Sequence, residues 1–116
     1  MSEYQYYEFQ AIDRRLTTAE MATLRSFSTR ARITPTSFVN EYQWGDFKGN
    51  EDAWMEQYFD AFLYFANWGT RTLKLRVPSR LLDAATAQLY CASDSAWVRE
   101  HDGSTIVTFT SQSEDD

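Results

Sequence analysis

The chain has 116 residues, 43% of them hydrophobic and 16% aromatic, and carries a formal charge of −6. That length holds one domain around one core. The acidity excludes a general nucleic-acid binder, which needs a lysine and arginine excess to neutralise phosphates, and the single cysteine, Cys91, excludes an internal disulfide.

Tyr4 to Ile12 alternates Tyr7, Phe9 and Ala11 against Tyr6, Glu8 and Gln10, the pattern of a half-buried strand. Leu16-Thr17-Thr18-Ala19-Glu20-Met21 follows. Thr17 and Glu20 have the spacing of a capping box, and Leu16 and Met21 that of a hydrophobic staple, so a helix is predicted from Thr18 to about Ser28. Arg30 to Thr34 reads as a short strand that Pro35 confines to an edge or an end. Ser37 to Trp44 sets Phe38, Asn40, Tyr42 and Trp44 against Val39, Glu41 and Gln43 and reads as a strand with contacts on both faces.

Asn50 is placed to cap a second helix, Glu51 and Asp52 suit its positive end and Gly69 its stop, which gives about 17 residues. Asp52, Glu56 and Asp60 recur every four residues as an acidic, solvent-facing stripe. Trp54, Met55, Tyr58, Phe59, Phe62, Leu63 and Phe65 cover much of the remaining helix surface.

Arg71 to Val77 alternates Leu73, Leu75 and Val77 with Thr72, Lys74 and Arg76, a strand expected to turn its leucines inward and its basic residues outward. Pro78 ends it, and Ser79 can cap a third helix with Leu81, Leu82, Ala85 and Leu89 along one side. Trp97 to His101 and Ser104 to Phe109 flank Asp102-Gly103, a strong signal for a two-residue hairpin that sets Val98 against Val107.

The fold class expected from this order is α+β: a ferredoxin-like βαββαβ sandwich with a C-terminal helix and β-hairpin extension. Residues 1–110 form the single domain and 111–116 an acidic flexible tail. If Arg30 to Thr34 is only loop, a three-stranded sheet replaces that sandwich. No apolar segment follows a basic start, and the most apolar stretch, Ala61 to Ala66, is far too short to span a bilayer, so a soluble, cytoplasmic protein is expected.

Reactive chemistry is sparse. His101, the only histidine, sits beside the hairpin tip as a solvated turn residue, and Cys91 reads as a small core residue. No glycine-framed serine suggests a nucleophile. Zinc-type clusters are absent, and Glu51, Asp52, Glu56 and Asp60 have the spacing of a solvated helix face rather than a hard-cation site. Gly45-Asp46-Phe47-Lys48-Gly49 lacks the Gly-Lys-Ser/Thr ending of a phosphate loop. No catalytic, cofactor-binding or metal residue is assigned, and no cofactor is expected.

The remaining candidates are contact residues. Arg30 with Arg32, and Lys74 with Arg76, each point to one face of a strand and form a local basic patch if those strands are neighbours. Tyr6 and Tyr42 or Trp44 fall where the sheet face away from the helices would lie. That face is open in a bare sandwich, so the C-terminal hairpin, a second copy or another protein should cover it.

Tyr6-Tyr7-Glu8-Phe9, Ala11-Ile12-Asp13-Arg14, Ala31-Arg32-Ile33-Thr34-Pro35-Thr36-Ser37-Phe38, Trp44-Gly45-Asp46-Phe47-Lys48-Gly49, Tyr58-Phe59-Asp60-Ala61 and Ala66-Asn67-Trp68-Gly69-Thr70 together resemble the N-terminal region of a family of uncharacterised bacterial proteins. The likeness spans residues 4–78 and implies a bacterial, cytoplasmic origin but no activity. Family members tend to have proline where Arg15 stands and to continue beyond Glu114-Asp115-Asp116, which leaves open an excised module or a naturally short relative. The expected function is a non-enzymatic protein-binding module whose partner is another protein or itself as a homodimer. The alternatives are an acidic inhibitor or nucleic-acid mimic that binds a basic protein, and a small enzyme of unknown reaction.

Overall fold

A computed structural model describes residues 4–43, 49–90 and 95–112. Its strands are β1 (Gln5–Gln10), β2 (Arg32–Thr34), β3 (Ser37–Tyr42), β4 (Ala61–Ala66), β5 (Thr70–Pro78), β6 (Ala96–His101) and β7 (Ser104–Gln112); the helices are α1 (Thr18–Arg25), α2 (Glu51–Gln57) and α3 (Ala84–Tyr90). All seven strands join one antiparallel sheet in the order β2-β3-β1-β4-β5-β7-β6. The expected ferredoxin-like sandwich with an appended hairpin is therefore wrong. The molecule is mostly β, and the hairpin extends the sheet in its own plane instead of folding over it.

The difference begins at α2. Asn50 caps it as expected, its side chain accepting the Ala53 N–H at 3.0 Å, but the helix ends at Gln57. Ala61–Ala66, read as the second half of a long helix, is β4, paired with β1 on one side and β5 on the other. A strand apolar on both faces lacks period-two alternation and cannot be told from a buried helix by pattern alone. Gly69 does not stop a helix. With φ at 107° it closes the β4–β5 turn, a conformation that glycine adopts without strain.

Elements set by local chemistry form as expected. Thr17 and Glu20 make the reciprocal capping box, and α1 starts at Thr18. β2 is a short edge strand linked to β3 through Pro35-Thr36. Asp102 and Gly103, both at positive φ, form the β6–β7 turn and set Val98 opposite Val107. α3 starts later than Ser79, with Asp83 accepting the Thr86 N–H at 2.7 Å. Its Ala87 is buried, whereas Leu81 and Leu89 are exposed. β7 continues through Ser111 and Gln112, two residues beyond the expected domain edge.

Strand register decides the two faces of the sheet. Phe9 pairs with Phe38 on β3 and Phe62 on β4, all three are fully buried, and α2 adds Trp54 and Met55 over them. The Phe9 ring lies 4.5 to 6.0 Å from those of Phe62, Phe59, Trp54 and Phe38, and each such side chain contributes about 1.5–3 kcal/mol by burial. α1 seals the same layer through Leu24, alongside Leu16 and Met21. Trp54, Phe59 and Phe62 are core as expected.

Lys74 is the cross-strand partner of Phe62, and a residue pair directly opposed in a ladder shares one face. β5 is thus inverted from its expected orientation: Thr72, Lys74 and Arg76 face the helices, and Leu73 and Leu75 face away. Lys74 is 6% exposed and Leu73 38%.

Candidate functional site

The face without α1 and α2 is built in rows. One rung runs through Arg32, Val39, Glu8, Leu63, Leu73, Phe109 and Ala96; a parallel rung runs through Glu41, Tyr6, Phe65, Arg71 and Ser111; a third carries Gln10, Ala61, Leu75, Val107 and Val98. Apart from Val39, charged and polar residues thus occupy the β2-β3-β1 side, and apart from Arg71 and Ser111, apolar residues occupy the β4-β5-β7 side in these rungs. At the far edge α3 covers the sheet, packing Ala87 and Leu82 against Ala96, Val98 and Val107. Between these regions Leu63, Leu73, Leu75 and Phe109 remain 43%, 38%, 38% and 41% exposed. Scattered exposed leucines mean little, but cross-strand neighbours in register make a contiguous patch. Leu63, Leu73 and Phe109 also line a shallow depression with Arg71 and Thr110.

Tyr6 lies on this face as expected. Its hydroxyl donates to Glu8 at 2.8 Å, and burial followed by that carboxylate pushes the phenol pKa up to about 12, so it stays neutral. Tyr42 lies instead on the helix-covered face, 5.5 Å from the Tyr7 ring, and Trp44 falls outside the described residues. Arg30 and Arg32 are exposed, Arg32 lying 3.7 Å from Glu41. They do not form a patch with Lys74 and Arg76, because β3, β1 and β4 separate β2 from β5 and the latter pair faces the helices. The apolar patch was missed because β5 was read in the opposite phase. The signal for it was β4, whose Leu63 and Phe65 had no place in a core already filled by Phe62 and Tyr64.

The covered face holds a charged network that ties α2 to the sheet. Lys74 Nζ lies 3.2 Å from Asp52 Oδ1 and 3.3 Å from Thr108 Oγ1; Arg99 pairs with Glu56 and lies 3.7 Å from Asp52; His101 Nε2 is 3.8 Å from Glu56. Asp60 is the most constrained member. Oδ2 accepts the Ile12 and Asp13 N–H groups at 2.6 and 2.8 Å, and Oδ1 accepts from Arg76 at 2.8 Å, while Arg76 also donates to the Glu56 carbonyl. Burial pushes the Asp60 carboxyl up, but these donors outweigh it and hold the pKa below the ordinary value of 3.8. The expected acidic stripe is thereby corrected. Asp52 is exposed, whereas Glu56 is half-buried and Asp60 nearly buried, at 11% of its side chain.

A cleft of about 510 Å3 opens beside Asp60 and Arg76, between Ile12, Asp13, Leu75, Val77 and Ser104. Its two central charges are spent on each other and on backbone groups. Among the described residues no group of three His, Cys, Asp or Glu side chains is placed to hold a metal ion, and no helix is long and apolar enough to cross a membrane. No family model, no curated protein and no solved structure matches the chain.

Proposed function

We propose that the protein is a non-enzymatic interaction module that docks a protein partner on the open face around Leu63, Leu73, Leu75 and Phe109. The observation that carries this reading is the inverted β5: four large apolar side chains in register face outward while a lysine is buried behind them. Exposed patches of this kind mark contact surfaces. The acidic-mimic alternative is weakened because Asp52, Glu56 and Asp60 pair with Lys74, Arg99 and Arg76 instead of forming a free anionic surface. A bacterial, cytoplasmic setting rests on the resemblance of residues 4–78 and on composition.

The test is capture by the tagged chain from a bacterial lysate that also expresses an untagged copy, with the wild type and a Leu63→Lys/Leu73→Lys variant side by side. Proteins of any identity retained by the wild type and lost from the variant support docking on this face. Identical bound sets from the two baits overturn it.

A further inference from the structure

Beyond docking on the open face, we infer that β6 pairs antiparallel along its outer edge with β6 of a second copy, joining two seven-stranded sheets into one. The sheet has two edges, and they differ in protection. β2 is three residues long and is followed by Pro35. β6 has six residues, no proline, and an unbroken register with β7 from Ala96 to His101. Edge strands resist pairing when they are short, bulged, interrupted by proline or lined with free charges. In β6 the charges are drawn back over the sheet: Arg99 pairs with Glu56 on α2, and Glu100 accepts from Ser79 Oγ at 3.0 Å.

The hydrogen-bonding phase of this edge follows from its inner side. Thr110 N–H donates to the Ser95 carbonyl at 2.8 Å, which turns Thr110, Thr108, Ile106 and Ser104 toward β6. By alternation Trp97, Arg99 and His101 bond to β7, while Ala96, Val98 and Glu100 point their N–H and C=O groups outward. Among the described residues those outward groups make no hydrogen bond.

A second copy supplies what this edge lacks. In a register centred on Val98, Ala96 meets Glu100 of the partner subunit and Val98 meets Val98 of the partner subunit, so every outward group is paired; a shift of two residues leaves some unpaired. That register sets Trp97 opposite Arg99 of the partner subunit, and the two-fold axis repeats the pair. Trp97, on the α2 side of the sheet, is 44% exposed and gains a guanidinium against its ring. Each Arg99 keeps its own Glu56, so no unpaired charge is buried.

The helices leave room for this pairing. α2 lies over Phe9, Phe62 and Lys74 and meets β6 through the Arg99 and His101 side chains. α3 packs on both β6 and β7, over the gap between them. With strands about 4.8 Å apart, the two-fold axis beside β6 brings the two α3 helices about 10 Å from each other, the spacing of packed helices. A ladder this short holds the copies weakly, with a dissociation constant in the micromolar range.

Sedimentation velocity of the purified full chain, from low to high micromolar, tests the inference. The wild type should pass from monomer to dimer with no larger species, because each copy has one such edge. Glu100→Pro removes an outward N–H, which an edge strand tolerates, and should weaken dimerisation at least about 10-fold with unchanged far-ultraviolet circular dichroism. Trp97→Thr should weaken it about 30-fold, and Leu73→Lys, on the open face, should leave it unchanged. With Cys91→Ser in place, Val98→Cys should cross-link to its own copy on oxidation much faster than Glu100→Cys. A wild type that stays monomeric throughout overturns the inference and leaves the docking reading standing. A dimer that survives either edge variant, or that cross-links as fast through Glu100→Cys as through Val98→Cys, overturns it as well.

Discussion

Phe62 and Leu63 are neighbours in the chain, alike in hydrophobicity, and sit on opposite sides of one strand. Phe62 is sealed between the sheet and α2 against Phe9, whereas Leu63 stands 43% exposed beside Leu73. The same contrast runs across the sheet. One face is closed by an aromatic cluster and two helices and holds its charges in defined pairs; the other is partly capped by α3 and otherwise bare. Hydrophobicity alone therefore does not identify the core of this protein. Register does, because the buried side is the one on which aromatic rings from β1, β3 and β4 coincide.

The largest effect expected from that contrast is on stability. Phe62→Ala should cost about 3–5 kcal/mol, whereas Leu63→Ala, measured in dilute solution, should cost less than about 1 kcal/mol. Denaturant melts of the two variants check the pair, and similar losses would break the assignment of faces.

A smaller effect is expected at Asp60, where Ala leaves Arg76 and two backbone N–H groups without their acceptor. A loss of about 3 kcal/mol at neutral pH follows. Because the folded pKa lies below the unfolded value, Asp60 contributes stability above about pH 3.8, lost as pH falls through the folded value. The wild type should therefore destabilise more steeply in acid than Asp60→Ala, and parallel acid limbs in pH-dependent melts would contradict the carboxylate's role.

The smallest effect is expected at Lys74. Met retains the apolar stem and gives up the long hydrogen bond to Thr108 and the pairing with Asp52, which is exposed enough to be hydrated alone. Lys74→Met should shift stability by less than about 1 kcal/mol in either direction. A large loss in thermal melts would mean that the ammonium itself organises the covered face.

What was legible in the sequence was what short-range chemistry decides. Thr17 and Glu20 announce α1, Asp102-Gly103 fixes the last turn and the Val98–Val107 register, and Pro35 marks the edge hairpin. Two long-range facts were not legible. Ala61–Ala66 is apolar on both faces, so its pattern does not choose between strand and helix; only pairing with β1 and β5 does. The alternation in β5 shows that leucines and basic residues part, not which set turns inward. That choice depends on the neighbour Phe62 and on Asp52 and Thr108, which receive the Lys74 ammonium from elsewhere in the chain. The candidate docking face was hidden by the same ambiguity, with Tyr6 alone placed on it correctly.

Hydroxyl-radical footprinting read by mass spectrometry, on the chain in dilute solution, tests the two-face account most directly. Leu63, Leu73 and Phe109 should be oxidised readily while Phe9 and Phe62 stay protected. Oxidation of Leu73 that is as low as that of Phe62 would contradict it.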